Sequence, residues 1–175
     1  AEGANPEETG GAAAPDADRE GGADPDLPLI RAVQHILSLS GMAFSTGAIR
    51  DLPELTSPRF DPAAAVSALR HVGFDASYGE MKPGALARGH CPAIGFTQAG
   101  EAVVVAEFGD GGRARVLFFD TPDAPREETL SKAEIRARLK PFFVLARKVH
   151  TASKPKGKND WFWGSLRQGK WLYFQ

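Results

Sequence analysis

At Gly73 the apolar residues of this chain change their spacing, and that change limits the fold more than any other feature of the sequence. Before it, apolar side chains recur every three or four positions, the period of a helix with one buried face. After it they come in short runs rich in Val and Phe, the mark of strands. Asp26 followed by LPLIRAVQHILSLSG predicts a first helix, with Asp26 as its acidic cap and Pro28 in the first turn, where a missing N–H costs nothing. Ile30, Val33 and Leu37 form its stripe, Leu29 and Ile36 widen it, and Gly41 is the stop. Ser45 opens a short helical turn through Ile49, and FDPAAAVSALRHVG repeats the start signal with Asp61 and Pro62 and buries Val66, Leu69 and Val72. The segments FDASYGE, PAIGFTQ, EAVVVAEF, ARVLFFD and PFFVLARK read as strands separated by turn signals such as QAGE and GDGGR, with SKAEIRARL as a late helix. Helices first and an antiparallel meander after them make an α+β domain.

With 175 residues and 42% hydrophobic content, the chain supports one domain with its own core and not two. A net charge of -1 gives no overall attraction to nucleic acid, but it conceals a gradient. Residues 1–26 hold eight acids and one base, residues 27–146 hold 13 of each, and residues 147–175 hold seven bases against Asp160 alone. The head, 1–26, lacks Leu, Ile, Val, Met and aromatic residues, so it has nothing to offset chain entropy and is expected to be a disordered acidic tail. The domain proper then covers 27–149. From His150 to Lys158 runs a basic Pro- and Gly-containing linker, and DWFWGSLRQGKWLYFQ closes the chain. Those aromatics with Arg167 and Lys170 suit a membrane interface, or else a terminal element packed on the domain. No apolar run reaches 18 residues, and the acidic start is not a signal peptide. An initial Ala and an end inside an aromatic pattern predict a fragment of something longer.

Candidate chemistry is sparse. Cys91 is the only cysteine, which leaves no internal disulfide and no cysteine-rich zinc site and fits a reducing compartment. His90 beside it suggests a thiolate pair, but consecutive residues at a strand start point to opposite faces, so Cys91 is expected to be a small packed side chain. His35, His71 and His150 are far apart, on polar helix faces or in the linker, and show no metal-ligand spacing. GDGGR lies between two strands and reads as a hairpin turn, not a phosphate cradle. Asp120 closes ARVLFFD ahead of a TPDAP turn.

The order of these elements, with LPLIRAVQHILSLSG, FDPAAAVSALRHVGF, CPAIGFTQAGEAVVV, RVLFFDTP, FFVLARK and then DWFWGSL, resembles the N-terminal domain of type I secretion ABC exporters. The resemblance covers residues 24–175 and is most specific in the WFWGSL stretch. It implies a papain-like α+β fold descended from cysteine peptidases that trim double-glycine leaders. Those peptidases use a Cys at the start of the first helix, a His after the P-A-I/V segment and an Asp after the following strand. A helix N-terminus lowers the thiol pKa, the His takes its proton and the Asp orients the His. On this sequence the three positions fall on Pro28, Ala102 and Asp120, and the oxyanion glutamine would lie near residue 22, where the sequence reads GGAD.

Pro has no nucleophile and Ala accepts no proton, so the resemblance implies a degenerate, non-catalytic domain that binds an unfolded export substrate, an RTX-type protein or adhesin, with Phe96 as a contact. Its partners would be the exporter's own transmembrane and nucleotide-binding domains and the membrane-fusion and outer-membrane components, with no nucleic acid. Its place would be the cytoplasmic side of the bacterial inner membrane. No cofactor is expected in this chain, ATP and Mg belonging to the nucleotide-binding domain outside it. Two alternatives stay open: an intramolecular regulator docking on that nucleotide-binding domain, and an active leader peptidase.

The tail gives a direct prediction. With anionic vesicles, the fluorescence of Trp161, Trp163 and Trp171 shifts to the blue as the indoles enter the headgroup level with Lys170 on the cytoplasmic side. An unchanged spectrum favours a tail packed on the domain.

Overall fold

The structure, a computed structural model, describes residues 23–149, so the acidic head through residue 22 and the linker and aromatic tail from residue 150 lie outside the described residues. Helix α1, Leu27–Leu39, forms on the predicted stripe and buries Leu29, Ile30, Val33, Ile36 and Leu37. Its start differs from expectation. Asp26 makes no side-chain cap, because its own backbone is already helical (φ -88°, ψ -17°), whereas a capping side chain needs extended backbone to turn back on the first turn. The Asp26 carboxylate instead accepts the Phe60 N–H at 3.0 Å and pairs with Arg59 at 3.2 Å, tying the start of α1 to the loop ahead of the third helix. Asp24, assigned to the head by composition, pairs with Arg50 of the second helix.

The other two caps form as the sequence indicates. Ser45 accepts the Ala48 N–H at 3.1 Å to open α2, Thr46–Arg50, and Asp61 accepts the Ala64 N–H at 2.7 Å to open α3, Pro62–His71. Val66 and Leu69 of α3 are buried, while Val72, just past its end, is only half-buried. Gly73 then takes φ +93°, a left-handed conformation that side chains with a Cβ resist, and turns the chain from helix into sheet.

Six strands make one antiparallel sheet: β1 Phe74–Glu80, β2 Ala93–Thr97, β3 Ala102–Phe108, β4 Ala114–Phe118, β5 Arg126–Leu130 and β6 Leu139–Lys148. Their order, β1-β6-β2-β3-β4-β5, corrects the expected meander, because only β2 to β5 run side by side in sequence order. Strand β6 returns from the far side and inserts between β1 and β2, with Tyr78 opposite Val144 on one flank and Ile94 opposite Val144 on the other. The strand β5 was not expected: REETL has no apolar alternation, since its side chains lie at a sheet edge in water and only Leu130 is buried.

Alternation along the strands divides the core. Phe74, Ala76, Ile94, Ala102, Val104, Leu117, Val144 and Ala146 face α1 and α3 on one side. Ala93, Val103, Val105, Val116, Phe118, Phe143 and Leu145 face the other side, where α4, Lys132–Arg138, inserts Ile135. Ser131 and Glu134 form a reciprocal cap at the start of α4. Gly95 of β2 is closely packed there, as a Cβ on it would stand 3.0 Å from the Phe143 ring. Among the described residues no helix is long and apolar enough to cross a membrane.

Ile135 is the only buried residue of α4, so Ile135→Ala removes the anchor of the second layer and costs about 2 to 5 kcal/mol. Urea denaturation followed by circular dichroism measures the loss, and an unchanged midpoint shows that α4 is not held by this contact.

Candidate functional site

Helices α1 and α3 are too short to cover all of the sheet face they pack on. Where they stop, the side chains of that face continue as the floor of an open cleft of about 690 Å³. Tyr78 of β1, Phe96 of β2, and Lys140 and Phe142 of β6 belong to this floor, with Ala102 at the start of β3 beside the turn at Gly100. The opposite wall is built by Pro25, Asp26 and Leu29 at the start of α1 and by Ser57, Arg59, Phe60, Asp61 and Pro62 leading into α3. The aromatic rings fix one another: Tyr78 stands edge-on to Phe96 (6.1 Å between centroids, 87°) and stacks with Phe142 (6.0 Å, 28°). Burial raises the Tyr78 phenol above its ordinary pKa.

The polar groups of the wall are largely committed. Asp26 accepts from Phe60 N–H and Arg59, Asp61 caps α3, and the Ser57 hydroxyl accepts the Arg59 N–H at 3.3 Å. No His or Cys lines the cleft among the described residues, and no group of three potential ligands there could hold a metal ion.

Of the three positions in the sequence-based site, only Ala102 is among the residues that line this cleft. Ala102 lines it, nearly buried, and the start of α1 forms its wall through Asp26 and Leu29, with Pro28 half-buried between them in sequence. Asp120 is not among the lining residues. It lies two residues beyond the end of β4, exposed, and Arg126 grips one of its carboxylate oxygens through Nη2 at 2.8 Å and Nε at 3.0 Å. Those hydrogen bonds hold its carboxyl below the ordinary carboxylate range. The chain around it, Phe119, Pro122 and Asp123, lines a second groove of about 460 Å³ with Arg31, Gln34 and His35 of α1. There the Arg31 guanidinium donates to the carbonyls of Phe119, Thr121 and Asp123 and lies 5.4 Å from the Phe119 ring centre.

Phe96 is half-buried on the cleft floor, as a contact residue must be. Tyr78, Lys140 and Phe142 were missed by sequence reasoning. The signal was the alternation Lys140, Phe142, Val144, which places all three on one face, but it says nothing of where the helices stop covering that face.

His90 and Cys91 are not at a strand start. Both sit in or just after a 3-10 turn, Arg88–His90, ahead of β2. The His90 Nδ1 accepts the Ala87 N–H at 2.9 Å and burial lowers its pKa, while the Cys91 Sγ donates to the Ala87 carbonyl at 3.7 Å. Cys91 packs against the second core, and burial, with Glu107 nearby, pushes its thiol up to about 11. His35 is half-buried rather than on an open polar face, tilted against the Phe119 ring, and burial lowers its pKa. His71 pairs with Glu54 at 2.7 Å, and His150 lies outside the described residues.

No protein-family model matches the chain, and a search of curated proteins finds no match. Solved structures do match. The N-terminal peptidase C39-like domain of the toxin secretion ATP-binding protein from Vibrio parahaemolyticus superposes with a TM-score of 0.58 at 17% identity, over 70% of this chain and 97% of that one. The fold is that of the peptidase C39-like domains. A double glycine motif protease from an AMS/PCAT transporter, solved in complex with the leader peptide, gives 0.57 at 14% identity over 70% of this chain and 84% of its own. The peptidase domain of Streptococcus ComA, a bi-functional ABC transporter of a quorum-sensing pathway, gives 0.54 at 11% identity over 71% and 93%. At such identities the likeness is one of fold, and it agrees with the papain-like α+β class expected from the sequence.

The Cys91 thiol provides a check of the geometry. At pH 8 a pKa of about 11 leaves roughly one thiol in a thousand ionised, so iodoacetamide alkylates the folded protein about two orders of magnitude more slowly than free cysteine. The rate climbs as pH rises toward that value. Alkylation as fast as free cysteine at pH 8 contradicts the packed thiol.

Proposed function

We propose that this chain is a non-catalytic accessory domain of a type I secretion ABC exporter, which binds the unfolded export substrate at the cytoplasmic face of the bacterial inner membrane. The observation that supports this reading is the cleft itself: an open groove with an aromatic floor, lined by Ala102, the residue to which the family pattern assigns the general base, and with no Cys or His among its described lining residues. Packing of α1 and α3 against the sheet makes the groove, so loss of catalytic groups does not close it. Covalent catalysis through Pro28 has no nucleophile and through Ala102 no base.

Support for the transporter setting comes from the fold neighbours, which include a toxin secretion ATP-binding protein and a transporter protease held with a leader peptide. In this reading residues 1–26 are an acidic spacer, 27–149 the binding domain, and 150–175 the link to the first transmembrane helix. An extended chain has backbone groups and side chains free to enter the groove, whereas a folded substrate has already paired them. ATP and Mg act in the nucleotide-binding domain beyond this chain.

An RTX-type substrate titrated with and without calcium tests the proposal. The unfolded, calcium-free form binds with a Kd that is roughly micromolar, because ordering a chain is costly, and Phe96→Ala weakens it about tenfold, or about 1.4 kcal/mol. A double-glycine leader peptide incubated with the protein stays intact. Equal affinity for folded and unfolded substrate favours a domain that regulates the exporter's ATPase, and leader cleavage blocked by a thiol reagent restores the peptidase reading.

A further inference from the structure

The donors and acceptors of the cleft are unevenly committed. Its two carboxylates are occupied, Asp26 by the Phe60 N–H and Arg59, and Asp61 by the Ala64 N–H at the start of α3. Arg59 is engaged with Asp26, but two further donors are open. Lys140 is half-buried on the floor, its ammonium beside the turn at Gly100, where a Cβ would lie 4.0 Å from Nζ, and among the described residues it has no hydrogen bond or ion pair. The Tyr78 hydroxyl, on the same sheet face, likewise has no hydrogen bond among the described residues. Phe142 lies between Lys140 and Val144 in the alternation, and Val144 stands opposite Tyr78, so an aromatic surface separates the two donors.

An ammonium with no partner, held beside an aromatic floor, gains from an anion that reaches it. The rings beside it accept an apolar side chain, and together they define a two-part requirement. Resting on the peptide-binding reading above, we infer that Lys140 is a specificity-determining residue of this cleft, which selects extended segments carrying an acidic side chain close to an apolar one. The carboxylate meets Lys140, while the apolar neighbour lies on Phe96 and Phe142. The occupant is a segment of another, unfolded chain.

The test uses the full chain and fluorescent, C-terminally amidated peptides, one repeating Gly-Leu-Ser-Glu and its counterpart repeating Gly-Leu-Ser-Gln, so that side chains supply every carboxylate. The acidic peptide binds at least tenfold more tightly at low salt, and the preference shrinks as ionic strength rises. Lys140→Met removes the preference while leaving the weaker glutamine peptide bound, and Lys140→Arg retains it. Lys132→Met, an exposed change on α4 at the other face, leaves it intact. Equal binding of the two peptides, or a preference that survives Lys140→Met, overturns the role of Lys140 without touching the peptide-binding reading. Binding of neither peptide nor of any unfolded substrate overturns both. A variant with amides at the six carboxylates of residues 1–22 binds the acidic peptide as the parent does; a tenfold gain identifies the chain's own head as the occupant and overturns the assignment to another chain.

Discussion

The pairing of β6 with both β1 and β2 is the constraint from which the rest of the structure follows. Phe74 pairs with Lys148 and Ala93 with Leu145, so residues widely separated along the chain must meet before there is a single sheet. Because β6 is flanked on both edges, its side chains serve two cores. Val144 and Ala146 enter the layer under α1 and α3, and Phe143 and Leu145 enter the layer under α4. Pairing between strands so far apart in the chain favours slow, cooperative assembly over stepwise addition of elements. The cleft depends on the same strand, since Lys140 and Phe142 are its next two positions on the helix-facing side.

The site is therefore a by-product of uneven coverage. The helical layer ends before the sheet does, leaving aromatic residues that are half-buried by one another instead of by helices. Asp26 holds Arg59 and the Phe60 N–H and Asp61 caps α3, which leaves Lys140 and the Tyr78 hydroxyl to face whatever enters. A fold neighbour, a double glycine motif protease from an AMS/PCAT transporter, was solved in complex with a leader peptide.

Much of this was legible in the sequence and some was not, for reasons that differ by element. The stripes of α1 and α3, the caps at Ser45 and Asp61, and the strands β1 to β4 depend on local spacing, which the sequence displays directly. Asp26 misled because a residue type favoured at caps serves equally well as a tether for a distant N–H, and only the backbone angle distinguishes the two. β5 escaped because an edge strand in water has no apolar alternation to show. The insertion of β6 is a tertiary fact that no local pattern encodes. Of the residues lining the cleft, Ala102 is reached by counting along the family pattern and Phe96 by its place before the turn at Gly100, while Lys140 looks like any lysine after a helix until its strand is placed beside Tyr78.

Arg31 holds the segment after β4 through three carbonyl oxygens, those of Phe119, Thr121 and Asp123. Two of the three residues it grips, Thr121 and Asp123, contribute nothing to that anchorage but main chain, which every amino acid possesses. The Thr121 hydroxyl also donates to the Ala124 carbonyl at 2.6 Å, so it is the Asp123 side chain that is free to drift without loosening the attachment, provided the arginine stays. Anchors of this kind let a surface loop lose all resemblance to its counterparts while keeping its path, one physical route by which a fold outlasts the recognisable sequence that first specified it.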